Sequence, residues 1–101
     1  MDFYNSGRWR KKREHILRLD KFKDKVEERY GRARDANLVH HIYPRNMYPE
    51  YEWEDWNLIS VSKSTHQRLH DRNGDKLSKE GMALMRRTKK GENWRAKHGT
   101  K

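Results

Sequence analysis

Ala36-Asn37-Leu38-Val39-His40-His41-Ile42-Tyr43-Pro44 is followed by a segment rich in Tyr, Trp, Pro and Glu, then by Trp56-Asn57-Leu58-Ile59-Ser60-Val61 and by Ser62-Lys63-Ser64-Thr65-His66-Gln67-Arg68-Leu69-His70. Leu38 to Tyr43 are β-prone, and Pro44 stops a simple continuation. Asn57 to Val61 read as a second strand, antiparallel to the first. Ser62 or Ser64 can cap a helix that runs to about Arg72, with Leu69 as its core anchor and Asn73 and Gly74 as its stop. Strand, strand and helix in this order carry four of the six histidines. They predict an α+β unit in which a two-stranded hairpin and a helix share one site.

The spacing of those histidines suggests their chemistry. His66 and His70 stand four apart, so on a helix they share a face and can grip one cation. His40, from a strand, can complete an open coordination shell. His41 is then free to handle a proton, and at a reference pKa of about 6.5 it is mostly neutral at cellular pH. Adjacent residues on a regular strand point to opposite faces, so convergence of His40 and His41 calls for a twisted or irregular strand end. A second reading keeps His40 as a packed core histidine and leaves the metal to His66 and His70 alone.

On the N-terminal side, Ser6 can cap a helix beginning near Gly7. Trp9, Ile16, Leu19, Phe22, Val26 and Tyr30 keep roughly helical spacing up to Gly31, as one long helix or as two joined near Asp20. On the C-terminal side a further helix starts after Ser78, with Leu77 placed to pack on Met82. Trp53 and Trp56 read as packing residues of an ordered loop. Beyond Thr88 no core pattern is visible, so residues 89–101 read as a mobile basic tail with His98 a bystander. The expected organisation is one domain over 1–88: a basic helical region (1–35), the hairpin and helix (36–74) and a C-terminal helix (75–88).

Composition narrows the setting. A chain of 101 residues with 32% apolar content can build only one small core. With no cysteine, disulfides and thiolate zinc sites are excluded. No apolar run approaches the roughly 18 residues needed to span a bilayer, and no signal-like stretch opens the chain, which points to a cytoplasmic protein without a membrane partner.

The net charge of +10 is uneven: residues 1–35 hold 12 basic and 7 acidic groups, 36–72 hold 4 and 5, and 73–101 hold 9 and 3. Basic flanks around a nearly neutral centre suggest arms for a polyanion. Arg8, Arg10, Lys11, Lys12 and Arg13 crowd the start of the first helix against its dipole, while Arg86, Arg87, Lys89 and Lys90 form the second arm. Both arms are expected to hold nucleic acid.

These residues resemble the HNH, or ββα-metal, nucleases, and particularly the small stand-alone HNH endonucleases common in phages. The resemblance is carried by residues 36–44, by Trp56-Asn57-Leu58-Ile59, by Thr65-His66-Gln67-Arg68-Leu69-His70, and by the opening Phe3-Tyr4-Asn5-Ser6 with Trp9, Arg10 and Arg13. It implies a general base at His41, metal ligands at His40, His66 and His70, and an Asn57 side chain that braces the loop between the strands. It implies hydrolysis of double-stranded DNA with Mg²⁺ or Mn²⁺, with Ni²⁺ or Zn²⁺ also able to bind, in a phage setting of packaging or recombination proteins. Sequence preference, oligomeric state and nicking against double-strand cleavage stay open. So does a non-catalytic nucleic-acid-binding protein that keeps the fold, and a bacteriocin-like toxin finds no translocation or receptor module in its support.

The chain departs from many HNH members at one feature. Two Cys-x-x-Cys pairs usually hold a structural zinc, and the matching positions here are Asp24 and Glu27, then Ser62 and Thr65. No structural zinc is expected, and the extended first helical region, packed through Phe22, Val26 and Tyr30, is expected to brace the core instead. Asp24 and Glu27 read as a solvated face, with weak binding of a hard cation as the alternative.

Overall fold

Strands β1 (Leu38–His41) and β2 (Leu58–Val61) form an antiparallel hairpin, with Leu38 opposite Val61, Val39 opposite Ser60, His40 opposite Ile59 and His41 opposite Leu58. In this computed structural model, which describes residues 2–72 and 76–98, the register sorts side chains to two faces. Val39 and Leu58 pack with Trp9, Ile16 and Leu17 of helix α1 (Gly7–Leu19) and with Ala36. Ile59 and Val61 join Val26, Ile42, Tyr43, Leu69, Leu84 and Trp94 on the other face. That second layer is supplied by α2 (Lys25–Glu28), α3 (Lys63–Leu69), α4 (Lys79–Arg87) and α5 (Trp94–His98). The fold is α+β, with helices on both faces of a two-stranded sheet.

Short-range chemistry sets the helix boundaries. The hydroxyls of Ser6, Ser62 and Ser78 accept from the amides of Trp9, Thr65 and Gly81 and so cap α1, α3 and α4. At the far end of α1 the Phe22 amide bonds the Leu17 carbonyl at 2.8 Å and the Lys21 amide bonds that of Arg18 at 3.0 Å. This closure places Lys21 at φ 56°, the left-handed region usually given to glycine. The first helical region is therefore two helices separated after Asp20. Within α1 Leu17 rather than Leu19 faces the core, and Leu19, Phe22 and Tyr30 are 46%, 43% and 55% exposed.

The brace of the fold differs from the sequence expectation. Asp24 Oδ1 accepts from the amides of Val26 and Glu27 at 3.0 and 2.9 Å, and Oδ2 from the amide of Ser62 at 2.8 Å. The Ser62 hydroxyl donates to that of Thr65 at 3.1 Å. Glu27, only 3% exposed, meets Arg32, Arg34 and Arg68 at 3.3, 3.7 and 3.1 Å. A buried polar cluster thus occupies the four positions matched to zinc-binding cysteines. Of Phe22, Val26 and Tyr30 only Val26 is buried, and Asp24 and Glu27 are not a solvated face.

Two further elements differ from expectation. Helix α3 ends at Leu69, and His70 is extended and forms a bridge with Leu77, so the helix stops short of Arg72; the expected stop at Asn73 and Gly74 lies outside the described residues. The segment after Thr88 does reach the core. Trp94 is buried and donates its indole N–H to the Trp56 carbonyl at 2.8 Å. Arg95 binds both carboxylate oxygens of Asp20, at 2.7 and 3.0 Å, and the carbonyls of Asp55 and Leu58. Two anchoring residues among polar neighbours create no period, which is why this contact was not legible. The side chain of His98 lies outside the described residues.

Candidate metal centre and catalytic cleft

His40 leaves β1 toward the α3 face and meets two histidines there. Its ring centroid lies 5.6 Å from that of His66 and 5.1 Å from that of His70, and the latter two are 4.6 Å apart. The bridge to Leu77, rather than a shared helical face, brings His70 back beside His66. One ring nitrogen from each of the three can be chosen so that all lie within 4.8 Å of one another. Nitrogens bound to one ion at about 2.1 Å lie at most about 4.2 Å apart, so a small closure of the rings suffices.

Two ring nitrogens of this trio lack partners. His40 Nε2 and His70 Nδ1 are buried without a hydrogen-bond partner, although buried polar atoms are almost always paired. The backbone of Lys76 hydrogen-bonds the His70 ring, which orients the ring and leaves Nδ1 bare. All three imidazoles are held neutral, first by burial and then, for His40, by His70, His66 and His41. For His66 the second cause is His70. Neutral imidazole is the form that ligates, so the residues fit a divalent cation.

His41 points to the opposite face, as regular strand geometry requires. Trp9 stacks on it with centroids 5.3 Å apart, and Phe3 and Tyr4 meet its ring edge-on. Its Nε2 donates to the Glu52 carbonyl at 3.1 Å, because a carbonyl only accepts. That bond leaves Nδ1 with its lone pair. Burial pushes the pKa of His41 down to about 4, against the raising effect of the Glu52 carbonyl and with the help of Arg45. The ring is therefore neutral well below the reference range assumed from sequence.

The convergence problem posed by adjacent histidines is solved without an irregular strand. All four residues of β1 border one cleft of about 720 Å³ that runs along the open edge of the hairpin. His66, His70 and Leu77 form one wall, Tyr4, Trp9 and Arg13 the other, and Pro44, Arg45 and Asn46 its end. His40 and His41 reach this cleft from opposite faces of the same strand.

Asn57 sits at the base of β2 with no exposed surface. Its Oδ1 accepts from the Tyr43 amide at 2.7 Å, and its Nδ2 donates to the carbonyls of Tyr43 and Tyr51 at 3.1 and 3.2 Å. It thus ties the exit of β1 to the loop that also presents the Glu52 carbonyl to His41.

The basic residues divide. Arg13 borders the cleft, and its Nε is buried without a partner. Arg8, Lys11 and Lys12 border a neighbouring depression with His15 and Trp53, where Arg8 lies 3.8 Å over the Trp53 ring and Lys12 pairs with Asp55 at 2.5 Å. Arg10 is exposed on the same helix. Arg86, Arg87, Lys89 and Lys90 are exposed but border no part of the histidine cleft, and Lys90 lies over Tyr43, Tyr48 and Tyr51. Sequence reasoning did not single out Arg45 or Glu52. Arg45 is stacked 3.7 Å over Phe3 and 3.4 Å from Glu52, and only the proximity of Pro44 to the histidines hinted at it.

No protein-family profile matches the chain, and no curated protein sequence matches it. Among solved structures it is similar to the crystal structure of the HNH endonuclease of the deep-sea thermophilic bacteriophage GVE2 with a manganese ion. The two share 26% identity over 65% of this chain and 72% of that chain, with a TM-score of 0.63. That likeness shows that the chain, with its hairpin followed by a helix, has the fold of the HNH-type endonucleases.

Proposed function

We propose that the protein is a metal-dependent HNH endonuclease that hydrolyses phosphodiester bonds in duplex DNA, with His41 as general base. The observation that carries this reading is the single cleft that holds three neutral histidines, two of them with unpartnered nitrogens, beside a fourth whose Nδ1 keeps its lone pair because Nε2 carries the proton. His40, His66 and His70 would hold the ion. A divalent cation bound there supplies Lewis-acid neutralisation of charge on the phosphate and on the departing 3′ oxygen. Imidazole donors suit transition ions, and the manganese of the GVE2 structure makes Mn²⁺ the first ion to test, with Mg²⁺, Ni²⁺ and Zn²⁺ beside it.

The chain's own residues divide the remaining work. His41 Nδ1 takes a proton from the attacking water, and the Glu52 carbonyl holds the ring in the tautomer that can do so. Asn57 positions that carbonyl by tying Tyr43 to Tyr51. Arg13 and Arg45 face the cleft and offer guanidinium groups to phosphate oxygens. Arg8, Arg10, Lys11 and Lys12 extend the grip along the backbone, while Arg86, Arg87, Lys89 and Lys90 act as a more distant basic surface. One such site per chain favours nicking.

Plasmid nicking across Mg²⁺, Mn²⁺, Ni²⁺ and Zn²⁺ tests the reading. His41→Ala is expected to lower the rate by about a thousandfold or more while Mn²⁺ affinity and DNA affinity stay within about twofold. Full nicking by that variant overturns the base assignment. Salt-sensitive DNA binding without any metal-dependent product overturns the nuclease.

A further inference from the structure

The opening Phe3-Tyr4-Asn5-Ser6 and Trp9 do more than begin a helix. Phe3 to Asn5 form a 3₁₀ turn that packs on α1, and the Ser6 cap fixes where the turn meets the helix. The rings it carries close over His41. Trp9 covers one face of the imidazole, and Tyr4 stands at its edge with ring centroids 6.1 Å apart. Arg45, stacked 3.7 Å over Phe3 and 5.4 Å from the Tyr4 ring, holds this cluster against the end of the cleft.

The Tyr4 hydroxyl lies 3.5 Å from Nδ1 of His41, the nitrogen left bare once Nε2 donates to Glu52. That separation is too long for a strong O–H to nitrogen hydrogen bond. It is short enough for one water to touch both atoms at about 2.8 Å from the cleft side. Both residues border the cleft, and Tyr4 is half-exposed, so water and a backbone phosphate can reach the point between them.

Building on the nuclease reading above, we infer that Tyr4 is a positioning residue: its hydroxyl and His41 Nδ1 together hold the attacking water toward the scissile phosphate. In the step, one proton of that water passes to Nδ1 while its oxygen bonds to phosphorus. The bond from phosphorus to the 3′ oxygen breaks, and the 3′ oxygen takes a proton from solvent. Tyr4 keeps its own proton throughout and contributes orientation. A phenylalanine would keep the ring contacts with Phe3, Trp9 and Arg45, so the hydroxyl is the part that faces the chemistry.

Steady-state nicking of supercoiled plasmid with Mn²⁺ tests this on the full chain, with Tyr4→Phe, Tyr4→Ala and His41→Ala side by side. Tyr4→Phe is expected to lower kcat by about tenfold, with KM, DNA affinity and thermal midpoint within about twofold or unchanged. Tyr4→Ala is expected to lose at least as much kcat. Wild-type kcat in Tyr4→Phe, or a loss confined to KM, overturns the positioning role while the nuclease stands, provided the wild type cuts and His41→Ala does not. A wild type that cuts no DNA with any of the four ions overturns the nuclease reading and the role of Tyr4 with it.

Discussion

Asp24 shows how a single carboxylate can do the work of a bound ion. It is 1% exposed and accepts from three backbone amides, two on its own turn and one at the start of α3. Burial alone would raise its pKa, but hydrogen bonds from Thr65, from the Glu27 amide and from Ser62 outweigh that and hold it below the usual carboxylate value. Asp24→Ala would leave those amides without an acceptor, and a loss of about 2–4 kcal/mol is expected in urea denaturation. Asp24→Asn keeps an acceptor and is expected to lose less. A wild-type midpoint for Asp24→Ala would show that the cluster is not the brace. The residue type was visible in the sequence, but its burial was not, since an acidic residue between lysines ordinarily faces water.

At the scale of elements, the meeting of α3 and α4 decides where His70 stands. A Cβ built on Gly81 would lie 2.2 Å from the Leu69 carbonyl oxygen and 3.1 Å from the Leu77 Cβ, so only glycine lets α4 approach this closely. The same approach sets the bridge of Leu77 with His70. Gly81→Ala is expected to cost about 1–3 kcal/mol and to weaken Mn²⁺ binding, read by thermal unfolding and by titration calorimetry. Unchanged stability and affinity would separate the glycine from the metal centre. The hairpin, the three serine caps and the helices α1, α3 and α4 were legible because period and capping chemistry are local, whereas α5 fell in a stretch without a period. The end of α3 was not, because His70 leaves the helix to pair with a residue beyond the loop.

For the whole molecule, the four cleft histidines make acid the natural stress. His40, His41, His66 and His70 all have depressed pKa values in the folded protein, each first through burial. The unfolded chain therefore binds more protons below about pH 6.5, and the stability these groups contribute is present above that pH and lost as pH falls toward 4, the value reached by His41. In chelator, the thermal midpoint is expected to fall steadily from pH 7 to pH 4.5, and Mn²⁺ is expected to raise it at pH 7. A midpoint flat across that interval would contradict the burial of these rings. At pH 7 the chain is expected to keep its far-ultraviolet helical signal in EDTA, since two apolar clusters and the Asp24 and Glu27 network hold the fold. Loss of that signal would mean that a metal is needed for folding. No helix among the described residues is long and apolar enough to cross a membrane.

The sequence by itself determined the α+β hairpin-and-helix order, the positions of the caps and the identity of the four histidines, because each rests on periodicity, capping or residue chemistry within a few neighbours. Tertiary structure decided how those residues meet. It placed His40 and His41 on opposite faces of a strand whose open edge gives both access to one cleft, and it returned His70 through a bridge. It brought Trp94 and Arg95 onto the core from a segment without pattern. It set the Tyr4 hydroxyl beside a nitrogen whose tautomer is fixed by a carbonyl eleven residues away. Such contacts depend on long-range packing of side chains that share no sequence period, so nothing in the local chain announces them.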